Sequence, residues 1–338
     1  MAEPTPAGTS IELPILDISN PEDPAVGEAM LDAATKYGFL YVDSKGTDFT
    51  AEDVRKAFER SKSFFASPVE EKEASRIQSN NRGWSGMHSE TLDPEHQRTG
   101  DFKEAFNFGE FTAEGKAQQP LPPALAPHEA EIADFASLCT KTCNRILSLL
   151  SLGLKTADYD HTVDVRAGAH SDYGSITLLF QRPGQPGLEI LTPEGTWAPV
   201  AVEPGRPSPS GDDVNNEFAF PPILVNIGDL LSYWTDGLLK STVHRVVFPA
   251  SERTGNSSQD RYSIVFFCHP VDSTELVPVP SDVVKAYREE KVVDAEERVG
   301  FGGGAGNLEP GRRTLTAAEH LAMRLNATYD FRQEATVA

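Results

Sequence analysis

Between residues 128 and 154 the apolar positions Ile132, Phe135, Leu138, Cys139, Ile146, Leu149 and Leu150 recur at helical spacing, which predicts one long helix with an apolar stripe. The same period predicts helices over 25–36 and 51–65. The second is closed by Pro68, because a proline ring cannot continue the hydrogen-bond ladder, and its Phe64 and Phe65 are expected to face a core. Residues 13–18 (LPILDI) and 38–42 (GFLYV) read instead as short strands, 82–88 as a loop, and 101–111 as short-stranded at most. Beyond Val163 the pattern changes. Apolar runs at 175–180, 188–191, 197–202, 223–227, 241–248 and 261–268 are separated by Gly, Pro, Asn and Asp. Short strands with regular turn punctuation predict a sandwich or jelly roll rather than a parallel sheet. Helical pattern returns at 282–298 and 317–325.

These changes divide the chain. A polar leader (1–12) is expected to be flexible, and 13–125 forms an N-terminal region ending at the Pro-rich 120–127. The long connecting helix occupies 126–157, and a β-rich core occupies 158–275, with 204–216 as a surface loop. Residues 276–338 hold the C-terminal helices and the Gly-rich 300–306.

Composition narrows the partners. The 338 residues carry a net charge of −21 with no Lys/Arg-rich run, which disfavours nucleic acid and anionic membranes, since no positive patch meets phosphate. No stretch is long and apolar enough to span a bilayer, and the start lacks the basic and apolar regions of a secretory signal. Three cysteines cannot make a disulfide framework, and Cys139 and Cys143 fall on the apolar stripe as expected buried thiols. A reducing, cytoplasmic setting and a monomer acting on a small molecule are the expectations.

The chemistry concentrates in a few residues. His170 and Asp172 are spaced His-x-Asp, and His244 lies in a later apolar strand, where an unpartnered imidazole would be costly to bury. Two imidazoles and one carboxylate suit non-haem Fe(II) and leave coordination positions open. On a strand, residues i and i+2 project from one face, so His170 and Asp172 are expected to reach one ion, with His244 supplied by a facing strand. Arg261 and Ser263 are again i and i+2, and a guanidinium with a hydroxyl suits a carboxylate. The glycine run at 300–306 lacks the preceding strand of a dinucleotide fingerprint and reads as a linker. His88, His96, His128, His161 and His320 are expected on the surface, and His269, ending an apolar strand, near a pocket.

Taken together these residues resemble the isopenicillin N synthase-like family of Fe(II)- and 2-oxoglutarate-dependent oxygenases. Residues 13–17 (LPILD), 37–41 (YGFLY) and Phe64-Phe65 look like its N-terminal region. His170-Ser-Asp172, 187–190 (GLEI), 226–229 (NIGD), 244–246 (HRV) and 261–263 (RYS) look like its core. The likeness covers most of the chain, and the wording of the core is most similar to fungal members. It implies a mainly β fold with α, a double-stranded β-helix (jelly roll) core flanked by helices. It implies Fe(II) on His170, Asp172 and His244, 2-oxoglutarate with its far carboxylate on Arg261 and Ser263, and O2 as co-reactant. The products would be succinate, CO2 and an oxidised small molecule (hydroxylated, desaturated or ring-modified), by analogy in specialised metabolism. Residues 226–229 would turn the chain between strands.

One departure is visible. Family members carry a strand and a tyrosine-bearing loop before the His-x-Asp segment, where this chain has only the 12 residues 155–166, with Tyr159 as the available substitute. A five-residue strand with two connections barely fits there. Two alternatives therefore stand beside the main reading: an iron oxidase of the same family that uses no 2-oxoglutarate, and a degenerate, non-catalytic member.

Overall fold

The computed structural model describes residues 10–78, 80–90, 99–156, 163–164, 171–204, 220–248, 260–291 and 314–328. Its strands in chain order are β1 (Ile15–Leu16), β2 (Phe39–Val42), β3 (Gly83–Ser85), β4 (Ala105–Asn107), β5 (Val163–Asp164), β6 (Ile176–Gln181), β7 (Leu188–Leu191), β8 (Trp197–Pro199), β9 (Ile223–Ile227), β10 (His244–Val246) and β11 (Ser263–Pro270). Its helices are α1 (Pro24–Lys36), α2 (Ala51–Phe65), α3 (Val69–Glu73), α4 (Glu129–Gly153), α5 (Asp229–Trp234), α6 (Asp282–Lys291) and α7 (Ala317–Thr328). One sheet has the order β1-β2-β9-β6-β11-β5, a second β10-β7-β8, and β3 pairs with β4 alone. Among the strand pairs of the described residues, β1–β2 is parallel and the rest are antiparallel.

Strand alternation decides what each face of the large sheet does. Ile176, Leu178 and Phe180 of β6 join Ile223, Val225 and Ile227 of β9 and Leu40 and Val42 of β2 in the main core. Helix α4 covers that core with Cys139, Cys143, Ile146, Leu149 and Leu150, and α1 adds Met30, Ala33 and Ala34. Each of the Val, Leu, Ile, Met and Phe side chains among them is worth about 1.5–3 kcal/mol when fully buried. Helices α1 and α4 approach closely because both contacts are glycines: a Cβ on Gly153 would sit 2.5 Å from the Gly27 carbonyl oxygen. The three cysteines are buried free thiols, and burial pushes Cys139 and Cys143 up, which keeps them protonated.

The other face carries Phe39, Tyr41 and Leu224, which pack with Leu188 and Ile190 of β7 and with Val200. There the small sheet closes over the large one. The Tyr41 hydroxyl donates to the Ala201 carbonyl, and burial pushes its phenol up.

Several expectations shift. Residues 82–88 contain strand β3, paired with β4 through Trp84 and Phe106. Helix α5, buried along its length, begins at Asp229, where only a turn was expected. His320, expected on the surface, is buried against Tyr233, because α7 docks onto the fold through that face. The short 155–166 segment still supplies a strand, as β5 pairs Asp164 and Val163 with His269 and Pro270 of β11. Tyr159, His96, His161, the 300–306 run and most of the 204–216 loop lie outside the described residues. No helix among the described residues is long and apolar enough to cross a membrane.

A tight junction lies between β9 and the turn before β6. Gly228 has an ordinary extended backbone (φ −101°), so what it lacks there is room. A Cβ would meet the Gly174 carbonyl oxygen at 2.2 Å and that of Asp172 at 2.7 Å. We expect Gly228→Ala to cost about 1–3 kcal/mol, read from denaturant unfolding, by forcing the 172–174 turn away from β9.

Candidate active site

Asp172 sits in the turn ahead of β6, one correction to the expectation that it lies on a strand. Backbone donors hold that turn: Asp229 N–H donates to the Asp172 carbonyl at 2.6 Å, Gly228 N–H to Ser175 at 2.9 Å and Leu230 N–H to Gly174 at 3.1 Å. The N-terminus of α5 thus clamps the segment. The predicted partner His170 lies outside the described residues.

The Asp172 side chain is buried and its two oxygens are used differently. Oδ2 accepts from Thr177 Oγ1 at 2.5 Å and from Asn226 Nδ2 at 2.6 Å. Oδ1 lies 3.9 Å from His244 Nε2, on β10 of the facing sheet. The backbone carbonyl of Thr242 accepts from His244 Nδ1 at 3.2 Å, which places the ring proton on Nδ1 and leaves an electron pair on Nε2. Phe39 stands edge-on to the ring at 5.6 Å and fixes its plane. A carboxylate oxygen and an imidazole nitrogen therefore face each other as two electron-pair donors. A divalent cation would satisfy both, and each of the two groups has an outer partner that orients it. Among the described residues no third His, Cys, Asp or Glu joins them.

Behind this pair lies a second buried carboxylate. Asp229 Oδ2 accepts from Ser171 Oγ at 2.9 Å and from Arg324 Nη2 of α7 at 2.7 Å. Burial pushes its carboxyl above the usual range, while the Arg324 charge and the hydroxyls pull it back. Thr177 and Arg324 were not singled out from the sequence. Thr177 does share a strand face with later candidate positions, whereas nothing local marks Arg324.

Arg261 and Ser263 lie at the opposite end of the β6–β11 ladder, where Ser263 is the partner of Gln181. Arg261 precedes β11, half-buried, and its Nε has no hydrogen-bond partner. Burial lowers its guanidinium from the ordinary value. It lies against the start of β7, since a Cβ on Gly187 would be 3.7 Å from its Nε. Thr177 and Gln181 share one face of β6 and are four residues apart, roughly 13 Å of strand. Leu179 and its partner Val265 lie between them on that face. His269 is buried at the other end of β11 beside Gly174, its Nδ1 donating to the Pro270 carbonyl at 2.9 Å and its Nε2 unpartnered. Burial lowers its pKa, so the ring is neutral. On the outer side of His244, Val246 and Phe248 are exposed, and Phe102 meets Phe248 at 5.7 Å and His88 at 4.5 Å.

Comparison with known proteins agrees along most of the chain. Residues 13–129 match the family model described as non-haem dioxygenase in morphine synthesis N-terminal, and 153–270 match the 2OG-Fe(II) oxygenase superfamily. A UPF0676 protein of Schizosaccharomyces pombe is 31% identical over 95% of this chain and 94% of its own. The 2-oxoglutarate-dependent dioxygenase traH of Penicillium crustosum is 30% identical over 72% of this chain and 77% of its own. In fold, the chain is similar to a full-length Neurospora crassa protein solved in complex with alpha-KG and thymine, with TM-score 0.67, 24% identity, and 94% and 97% of the two chains covered.

Two substitutions probe the arrangement. Thr177→Val keeps the shape and removes one donor to Asp172 Oδ2; we expect roughly 10- to 100-fold weaker metal binding by calorimetry, with the fold unchanged by circular dichroism. A carboxyl held above its unfolded value favours folding while protonated, so that contribution fades as pH rises through the folded value. Arg324→Met removes the largest influence holding Asp229 down. It should therefore destabilise the protein by about 3 kcal/mol near neutral pH and by less at about pH 5, as read by denaturant unfolding at each pH.

Proposed function

The chain belongs to the 2OG-Fe(II) oxygenase superfamily and is a 2-oxoglutarate-dependent dioxygenase that uses Fe(II), and on that premise we propose how its residues divide the work. Asp172 and His244, with His170, hold the iron; the facing electron pairs of Asp172 Oδ1 and His244 Nε2 are the observation that carries this assignment. Arg261 and Ser263 hold the far carboxylate of 2-oxoglutarate. The aliphatic middle of that diacid lies over Leu179 and Val265, the apolar residues between the two polar ends of the ladder. We read the two sheets, closed over each other through Phe39, Tyr41, Leu188 and Ile190, as the double-stranded β-helix of the resemblance.

Iron with 2-oxoglutarate and O2 supplies the oxidising power, with succinate and CO2 released. The protein's own part is positional. Thr177 and Asn226 keep Asp172 Oδ2 occupied, so that Oδ1 alone turns toward His244. Phe39 and the Thr242 carbonyl hold the imidazole in one tautomer and plane. Buried Leu224 and Ile190 keep water from the inner wall. The substrate is a small molecule whose apolar part meets Phe102, Val246 and Phe248, an exposed cluster of the kind that marks ligand contact. Hydroxylation, desaturation or ring modification of that part is the outcome.

The test is succinate release from 2-oxoglutarate by the Fe(II)-loaded protein in air, with a panel of ring-containing small molecules. We expect turnover above the metal-free control and its loss in His244→Ala, with iron binding lost in the same variant. Iron bound normally but no succinate across the panel would overturn the assignment.

A further inference from the structure

At the Arg261 end of the ladder buried polar atoms of two residues have no hydrogen-bond partner. Gln181 is 5% exposed, and neither its Nε2 nor its Oε1 has a hydrogen-bond partner. Arg261 Nε is in the same condition. A buried amide with four hydrogen-bonding positions unmet is a standing cost to the folded state, and such groups call for a missing partner. The partner that Gln181 lacks does not come from its own sheet: the helix-side residue before it, Phe180, is in the main core, while Gln181 points to the opposite face. Directly across the ladder is Ser263, and residues directly opposite on an antiparallel pair present their side chains to the same side. Gln181, Ser263 and, two residues before Ser263, Arg261 thus form one corner with donors to spare.

We propose that Gln181 is a third cosubstrate-binding residue of this corner, its amide NH2 donating to the same carboxylate that Arg261 and Ser263 hold. The inference rests on the proposed function and extends it to a residue that no sequence feature marked. An amide suits the position because it donates without adding charge: a second cation would overcompensate a single carboxylate, and an apolar side chain would leave one of its oxygens dry and unbonded. A glutamine also keeps the apolar floor of Leu179 and Val265 intact, since its polar atoms lie only at the end of its stem.

The experiment compares wild type, Gln181→Leu and Arg261→Met as anaerobic Fe(II) proteins by calorimetry. Each is titrated with 2-oxoglutarate and with 2-oxopentanoate, which has the same chain without the far carboxylate. We expect Gln181→Leu to weaken 2-oxoglutarate roughly 10- to 100-fold, the range for one hydrogen bond to a charged group, and to leave 2-oxopentanoate within about twofold. The thermal midpoint of the cosubstrate-free variant should hold or rise, because the substitution removes two unbonded buried atoms. Unchanged affinity for 2-oxoglutarate, equal loss for both acids, or a lower thermal midpoint without cosubstrate would each overturn the role of Gln181. If Arg261→Met weakens 2-oxoglutarate while Gln181→Leu does not, the corner stands and Gln181 falls. If wild type binds the two acids equally, the corner itself falls and takes Gln181 with it.

Discussion

One buried carboxylate sets what the surrounding structure must do. Asp172 lies in an irregular turn, where neither a helix nor a ladder supplies partners, so its carbonyl and its Oδ2 need donors from elsewhere. Three elements provide them. β6 gives the Thr177 hydroxyl, β9 gives the Asn226 amide, and the first turn of α5 gives the Asp229 N–H. That convergence is possible only because Gly228 lets β9 press against the turn without a side chain between. The dependency continues outward. Asp229, once committed to the clamp, is itself buried and needs Ser171 and Arg324, which draws α7 into the structure of the site. A helix near the C-terminal end is thereby connected to the candidate metal ligand through the Asp229 carboxylate and the Asp229 N–H bond to the Asp172 carbonyl.

The two faces of the large sheet separate stability from chemistry. The face under α1 and α4 is continuously apolar, from Leu40 through Val225 and Leu178 to Cys268, and is sealed by the longest helix. Because that face is closed and apolar, the opposite one is free to carry groups that a core would reject: Asn226, Thr177, Gln181 and His269. Their desolvation cost is carried by a scaffold that does not depend on them. The small sheet then needs to cover only part of this second face. It does so where Phe39, Tyr41 and Leu224 meet β7, and His244 enters from its outer strand at the edge of that contact.

Much of this was legible in the chain, and the misses have physical causes. Helices α2 and α4 and strands β7 and β9 follow from periodicity because their apolar sides are buried, β7 in the cluster on the second face and the others in the main core. Asp172 and His244 were expected to converge, and they do, at 3.9 Å. The strand expected under Asp172 is a turn, because its conformation is set by tertiary clamps from residues 54 to 58 positions later and not by local pattern. His320 looked like a surface residue, and nothing in the pattern marked Arg324. Their burial depends on where α7 docks, which has no trace in the spacing of its own side chains. Strand β3 is three residues long and gains its order from the Trp84–Phe106 pairing, too short to show a period. Gln181 ends an apolar run, where the pattern marks a boundary and says nothing of a buried amide.

Register is what joins the two chemical ends of the site. Along β6 the second face reads Thr177, Leu179, Gln181, and along β11 the matching residues are Phe267, Val265 and Ser263. On β6 polar groups stand at the two ends with Leu179 between; on β11 Ser263 is polar at one end, and Val265 and Phe267 are apolar. A slip of one residue would turn Thr177 and Gln181 into the helix-covered core and bring Leu178 and Phe180 to the site. The main core forbids that slip, since Ile176, Leu178 and Phe180 are buried there among Val225, Ile227 and the stripe of α4. The apolar packing on one side of the sheet therefore fixes the distance between the proposed carboxylate corner and Asp172 on the other. A ligand that bridges them must carry polar ends on a short apolar middle, and the length of that middle is measured by core residues it never touches.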